Sequence, residues 1–488
     1  MERLASRILI AMASCVALLL AIRALAGPFQ IAGIQVRSPL TLETIFTVIA
    51  GVLLLIASRR SGRGMAAPPL SAHLLLALAL AFTAAAFSPN LLDPFVSDDY
   101  ILISRFTLDP HLRAADFAIA GGDGAFRPVG NIGYALIHAF AGVRPLPWHC
   151  SILALHLLNC ALLFAVVRVL WENALVSFTA ALLFGLHGTR PQAVAWTSDL
   201  FDMLACALSL AAAWCVLRPL FRKPWVSAAV ALTFLAPAIL CKESAYATPA
   251  LVFCFAAATG RLRERTFRIF LAGSAMVCAG LFAYRWRLFH GPGGYVDPST
   301  GRPAILSLHL VSTLKALGLR LWTILLFPLN WTAPTGFWVA AALVLGCAAV
   351  LFLLAASRGL EPRIVLALLA ATLCAMVPAL HLAMVGESAL GSRIFYIPAL
   401  PFFVLAGHVV ASVTSQRRAL VGLAALILST TIVMEHNLAF WHRTALVADQ
   451  VCTAAAQGKA VQINSDALPG ILSFGNGLRE CVEMKRAK

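Results

Sequence analysis

The sequence predicts an all-α polytopic membrane protein, a bundle of about thirteen transmembrane helices. Three observations predict it. The chain is 61% hydrophobic, with mean hydropathy +0.87. Only 12% of its 488 residues are charged, about half the share in a soluble domain. Apolar runs of bilayer length recur from end to end, and Arg and Lys collect in the short segments between them. Spans packed side by side form one bundle, so residues 1–434 read as one transmembrane domain and 435–488 as a short polar tail.

Taken in order, length and hydropathy place spans near 8–25, 41–57, 70–87, 148–170, 174–187, 199–217, 225–240, 245–259, 267–288, 337–356, 363–381, 394–413 and 419–434. Arg3 and Arg7 precede the first run, and Ala24-Leu25-Ala26 resembles a signal-peptidase site. Arg23 interrupts the approach to that site and many spans follow, so the first helix is expected to be retained. Orientation follows from the basic loops. Arg59, Arg60 and Arg63 lie in one; Arg218, Arg222 and Lys223, then Arg261, Arg263, Arg265 and Arg268, then Arg358 and Arg363, then Arg417 and Arg418 lie in others. These are the cytoplasmic set, which puts the tail outside. Residues 306–329 are apolar enough to span but carry Lys315 and Arg320, expensive at mid-bilayer. Spanning there would turn Arg417 and Arg418 outward, so an interfacial helix on the outer surface is expected.

The net charge of +16 belongs to this orientation signal and not to nucleic acid, because the apolar runs leave no continuous basic surface. Twelve cysteines include no CxxC pair, and most lie inside apolar runs as small hydrophobes. Cys452 and Cys481 flank the polar tail; they form a disulfide or remain two free thiols, according to the compartment. No zinc spacing, Gly-rich phosphate loop, GxSxG or nucleotide fold is present, so an NTP-driven mechanism has no support in the sequence.

Unusual residues collect in the outer loops. The first, 88–147, holds Asp93, Asp98, Asp99, Asp109, Asp116, Asp123 and Arg127. Others hold His187 to Pro191, Lys242-Glu243-Ser244, the Gly/Pro-rich stretch His290 to Pro303, and Glu387 through Tyr396. Asp98-Asp99 follows a span among apolar and aromatic neighbours. A partly desolvated carboxylate there has a raised pKa and takes a proton from a hydroxyl; two adjacent carboxylates can also share a divalent cation. The plainer alternative is a solvated acidic loop with Asp98 capping a helix. Four cations weigh against it. Arg127, Arg190, Lys242 and Arg393 all fall at outer ends of spans, where the positive-inside rule does not explain them. Each alone is a snorkelling or paired side chain; together with two Asp they make an anion site beside a base. Phosphate has the charge and oxygen geometry that Arg matches. His187 is more often a capping or packing residue than a ligand.

Four blocks then carry a family resemblance. They are Ser97-Asp98-Asp99-Tyr100 with Phe126-Arg127-Pro128-Val129; residues 182–205 (LLFGLHGTRPQAVAWTSDLFDMLA); Leu240-Cys241-Lys242-Glu243-Ser244; and Ser392-Arg393-Ile394-Phe395-Tyr396-Ile397-Pro398. In this order they resemble the GT-C superfamily of membrane glycosyltransferases that use polyprenyl-phosphate sugars. The likeness is greatest to the branch with the TPR-bearing protein O-mannosyltransferases, and it covers about residues 88 to 400. The resemblance implies a GT-C-like bundle with an outward cavity, Asp98 or Asp99 as acid-base residue, and Arg127, Arg190, Lys242 and Arg393 around the donor phosphate. Tyr100, His187, Glu243 and Tyr396 are further site candidates within the same blocks. Gly188 and Gln192 stand where the family pattern has Pro and Glu, so no carboxylate acts at 192. The repeat array of the TPR-bearing members is not expected after residue 434, which counts against a protein acceptor beside the lipid and glycan acceptors that stay open.

The expected activity is inverting transfer of a sugar from a polyprenyl-phosphate donor to an acceptor hydroxyl. It is expected on the extracytoplasmic face of what the Ala/Arg-rich composition marks as a bacterial inner membrane. A transporter or flippase for an anionic lipid-linked sugar is the rival. Repeated halves and midplane helix breaks, its usual marks, are not evident. The polar residues gather at one surface, where a transferase needs them.

Overall fold

The computed structural model describes residues 2–31, 34–60, 62, 70–108, 125–218, 221–294, 310–382, 387, 390–459 and 477–486. Of the residues singled out above, Arg63, Asp109, Asp116, Asp123, 295–303 and 306–309 lie outside these. In chain order, α1 (Glu2–Ala26) and α2 (Pro39–Ser58) are joined by an antiparallel hairpin, β1 (Phe29–Ile31) with β2 (Ile34–Val36). Then come α3 (Ala72–Phe87), α4 (Asp98–Leu108), α5 (Pro128–Ala141), α6 (Pro145–Trp171), α7 (Ala174–Leu186), α8 (Arg190–Ala195), α9 (Leu200–Leu217) and α10 (Pro224–Cys241). They are followed by α11 (Thr248–Thr259), α12 (Arg265–Phe289), α13 (Leu310–Lys315), α14 (Leu321–Leu326), α15 (Phe337–Ala356), α16 (Pro362–Met376), α17 (Ala399–Ala411), α18 (Gln416–Ala456) and α19 (Leu478–Arg486).

Local chemistry starts and stops these helices. Ser38, Asn173 and Ser415 accept from the first free N–H groups of α2, α7 and α18, and Pro39 occupies the first helical position of α2. α11 ends on Gly260 at φ +74, a left-handed cap that glycine adopts without strain. Among the described residues, ten helices are long and apolar enough to cross a membrane. The chain is a multi-pass membrane protein. Ile8, Met12, Leu18, Phe82, Met276 and Trp338 are exposed on these helices, as lipid-facing side chains are.

All thirteen expected stretches are helical, but α7, α11 and α17 fall short of the length of the other spans. Their short ends have one thing in common. α7 stops at His187, α11 starts after the 3₁₀ turn Glu243–Ala247, and α17 starts after the 3₁₀ turn Ser392–Phe395. The same end of the bundle is thus cut back at three of the four sequence blocks. Irregular backbone at membrane depth is tolerated where it is buried in protein or lines a cavity. The opposite end gathers the basic loops: Arg60 donates to the Leu354 and Ala355 carbonyls at 3.2 and 2.9 Å, and Arg261 to the Leu217 carbonyl at 3.0 Å.

Two expectations need correcting. The 306–329 segment is continuously helical over 310–326, as one helix, but it packs against α2 and does not lie free at a surface. Its described part is α13, a π-helical turn (Ala316–Arg320) and α14, and Leu321, Ile324 and Leu325 are buried. The π turn and α14 pack on α2. Arg320 meets buried Glu43 of α2 at 3.7 Å, and the Trp331 indole donates to Glu43 at 2.6 Å; a paired arginine no longer needs the surface. The span drawn at 419–434 also does not stop there, because α18 runs unbroken for 41 residues. At 1.5 Å per residue it is roughly 60 Å long, about twice the hydrocarbon thickness.

Candidate active site

The acidic turn enters α4 through Phe95, which is buried edge-on against Tyr100 and Trp148. Ser97 adopts φ +48, a left-handed conformation that a non-glycine residue holds only where its surroundings fix it. This turn separates the two aspartates. Asp99 is fully buried and accepts from Val96 N at 3.1 Å and from Ser198 N and Oγ, both at 2.7 Å. Burial pushes its carboxyl up to about 6 against these hydrogen bonds. Asp99 therefore fastens α4 to the 3₁₀ turn Thr197–Asp199. Asp98 is half-buried. Burial raises its pKa, while Arg393 and a hydrogen bond from the Ser97 side chain pull it back.

At the turns that precede α11 and α17, a cavity of about 290 Å³ opens. Arg127, Lys242, Arg285 and Arg393 line it with Asp202, Glu243, Ser244 and Tyr246. Arg127 caps α5 and meets Glu243 at 2.9 Å, and Arg285 near the end of α12 meets the other Glu243 oxygen at 2.9 Å. Lys242 meets Asp202 at 2.9 Å. Arg393 lies 4.3 Å over the Trp196 ring and 3.8 Å from Asp199. Burial alone would raise the Glu243 carboxyl; Arg127, Arg285 and Lys242 outweigh it and bring it to about 2.

Three of the four expected phosphate-binding cations, Arg127, Lys242 and Arg393, share this cavity with the expected Glu243. Arg190 does not line it. Its side chain is fully buried between the Phe184 and Tyr396 rings, at 4.7 and 4.6 Å, and donates to Thr189 Oγ1 and to the Phe395 carbonyl. Burial lowers it to about 10. His187 is held by Thr189 Oγ1 at 2.8 Å and the Leu325 carbonyl at 3.1 Å. The Tyr396 hydroxyl is committed to His156 at 2.7 Å, and Tyr100 is packed on Phe95. These four brace the site from behind. Gln192 contributes through its carbonyl oxygen, which accepts from Arg393 N at 3.1 Å.

Sequence reasoning missed Asp199, Asp202 and Arg285. The two aspartates are one helical turn apart in Ser198-Asp199-Leu200-Phe201-Asp202 and so share a face. That spacing was the available signal. For Arg285 it was a cation at the outer end of a span. Among the described residues no hydrogen-bond partner meets either Asp199 oxygen, although the side chain is buried. Arg393 is its charge partner, at a distance longer than a hydrogen bond.

No protein-family model matches the chain. Among solved structures it is similar to ArnT from Cupriavidus metallidurans bound to undecaprenyl phosphate, with 17% identity over 84% of this chain and 87% of that one, at a TM-score of 0.38. Among curated proteins it is similar to Protein O-mannosyl-transferase Tmtc1 of Drosophila melanogaster, 29% identical over 135 residues. The match spans 28% of this chain and 16% of that protein's length. Over part of its length the chain is therefore similar to a protein O-mannosyltransferase, the kind of enzyme its four sequence blocks resemble.

Proposed function

We propose that the chain is an integral-membrane glycosyltransferase that moves a sugar from a polyprenyl-phosphate donor to an acceptor hydroxyl, with inversion, on the extracytoplasmic face. One observation carries the reading: a recessed cavity lined by Arg127, Lys242, Arg285 and Arg393, with half-buried Asp98 in the field of Arg393. Its four cations outnumber the two carboxylates that line it, Asp202 and Glu243, and this excess of positive charge favours an anion such as a phosphodiester.

Asp98 is the base; Asp99 anchors the helix that presents it. Asp98 takes the proton of the acceptor hydroxyl, the oxygen forms its bond to the anomeric carbon, and the carbon–phosphate oxygen bond breaks on the opposite face. The leaving polyprenyl phosphate keeps the electron pair and needs no proton. The cavity cations meet its growing charge, and removing one such contact costs roughly 3 kcal/mol of transition-state stabilisation. Arg190 positions the 392–398 turn from behind. A disulfide between Cys452 and Cys481 supports an oxidising compartment for this end, and the basic loops at the other end support a bacterial inner membrane with the site facing the periplasm. The similarity to an O-mannosyltransferase makes polyprenyl-phosphate mannose the first donor to test. In native membranes, Asp98→Asn is expected to cut transfer by on the order of 10²-fold or more with the protein still folded. Full activity of Asp98→Asn would refute the assignment.

A further inference from the structure

The C-terminal helix reaches back to the acidic turn. α19 is tied to α18 by the Cys452–Cys481 disulfide, its Cα atoms 6.1 Å apart across 29 residues of sequence. A second tie, Lys485 to Asp449 at 2.6 Å, joins the same helices. Both cysteines and Met484 are buried, and α19 packs on α4. At its leading edge Gly477 has φ +83 and lies so close to Ser97 that a Cβ there would collide with the Ser97 carbonyl oxygen. That carbonyl accepts from Tyr100 N at 3.1 Å and opens α4. Ser97 directly precedes Asp98, the first residue of α4.

We propose that residues 477–486 are a positioning strap for the general base: the Cys452–Cys481 bond holds Gly477 against the strained Ser97 turn, and that turn fixes where the first residue of α4, Asp98, is presented. The inference rests on Asp98 being the base. None of Cys452, Cys481 and Gly477 lines the cavity, so they act through Ser97 as positioning residues. The cross-link removes the freedom with which α19 would otherwise leave α4.

The test compares full-length protein before and after dithiothreitol, with C452S/C481S as the reductant-insensitive control. Two quantities are read: transfer from polyprenyl-phosphate mannose, and hydrogen exchange of the Asp99 and Tyr100 amides. Reduction is expected to lower kcat about tenfold with KM for the donor within about twofold, the pattern of a misplaced reacting group. Exchange at Asp99 and Tyr100 speeds up while α9 stays protected. Gly477→Ala lowers kcat in the same way with the disulfide intact. If the double variant does not fold, reduced wild type gives the same readout. Unchanged kcat and exchange after reduction overturn the strap, even where Asp98→Asn abolishes transfer. A rise in KM at constant kcat overturns it too. A wild type that transfers nothing overturns mannose as the donor sugar, while exchange still decides the strap.

Discussion

Glu243 holds two of the four cavity cations, so replacing it by Gln tests whether the charge arrangement is built as described. Each of its oxygens takes one guanidinium at 2.9 Å. Its carboxyl is displaced from 4.5 to about 2, with burial opposing and Arg127, Arg285 and Lys242 prevailing. That displacement corresponds to about 3 kcal/mol of folding free energy. Because the folded pKa lies below the unfolded one, the contribution is complete above pH 4.5 and is lost as the pH falls toward 2. Gln keeps one acceptor but leaves Arg127 and Arg285 without their shared countercharge. Glu243→Gln is therefore expected to lose about 1–3 kcal/mol at neutral pH. Thermal unfolding of the purified protein, followed by intrinsic fluorescence from about pH 7 to about pH 3, reads the effect. The two melting temperatures start apart by a few degrees and converge below pH 4.5. Equal stability at neutral pH, or a gap that stays constant as the carboxyl protonates, refutes the reasoning.

Two further outcomes follow from single contacts. Asp99 titrates higher in the folded protein, about 6 against an ordinary 3.8. Wild type should thus gain about 3 kcal/mol as the pH falls through that window, and Asp99→Asn should lack this gain. Denaturant titrations at both ends of the window decide it, and identical pH slopes in the two proteins count against the buried-anchor role. A Cβ on Gly188 would stand 2.6 Å from the Pro328 carbonyl and 3.0 Å from Val433. Gly188→Ala should then cost about 1–3 kcal/mol, and an unshifted melting curve would exclude the clash.

Much of the bundle was legible because hydropathy is a local property. Each apolar stretch announced a helix without reference to its neighbours. The shortness of α7, α11 and α17 was not legible, since their ends are set by polar residues whose partners lie far away in sequence. The cations were recognisable as out of place, and Arg127, Lys242 and Arg393 do meet. Arg190 looked the same in sequence, but whether a helix-end arginine faces a cavity or a pair of rings depends on packing. Asp199 and Asp202 were hidden inside an apolar run, within a quoted block, because the cations were weighed only against an incoming ligand and not against partners in the chain. The division of labour between Asp98 and Asp99 depends on which face of α4 meets Ser198, a contact 99 residues away in sequence.

The unbroken course of α18 has a consequence for biogenesis. Asn437 donates to the Gly188 and Pro328 carbonyls, Trp441 stacks on Trp196, and His442 meets Asp93. All four partners are translated long before α18 threads into the membrane. Until it does, the segments around Asp93, Gly188, Trp196 and Pro328 have inserted but lack the helix they pack on, and buried carbonyls wait without donors. Chains arrested before α18 would therefore be inserted yet unfinished at one surface, the kind of species membrane quality control removes. The working face of this protein is a late product of synthesis, assembled only when its longest helix arrives.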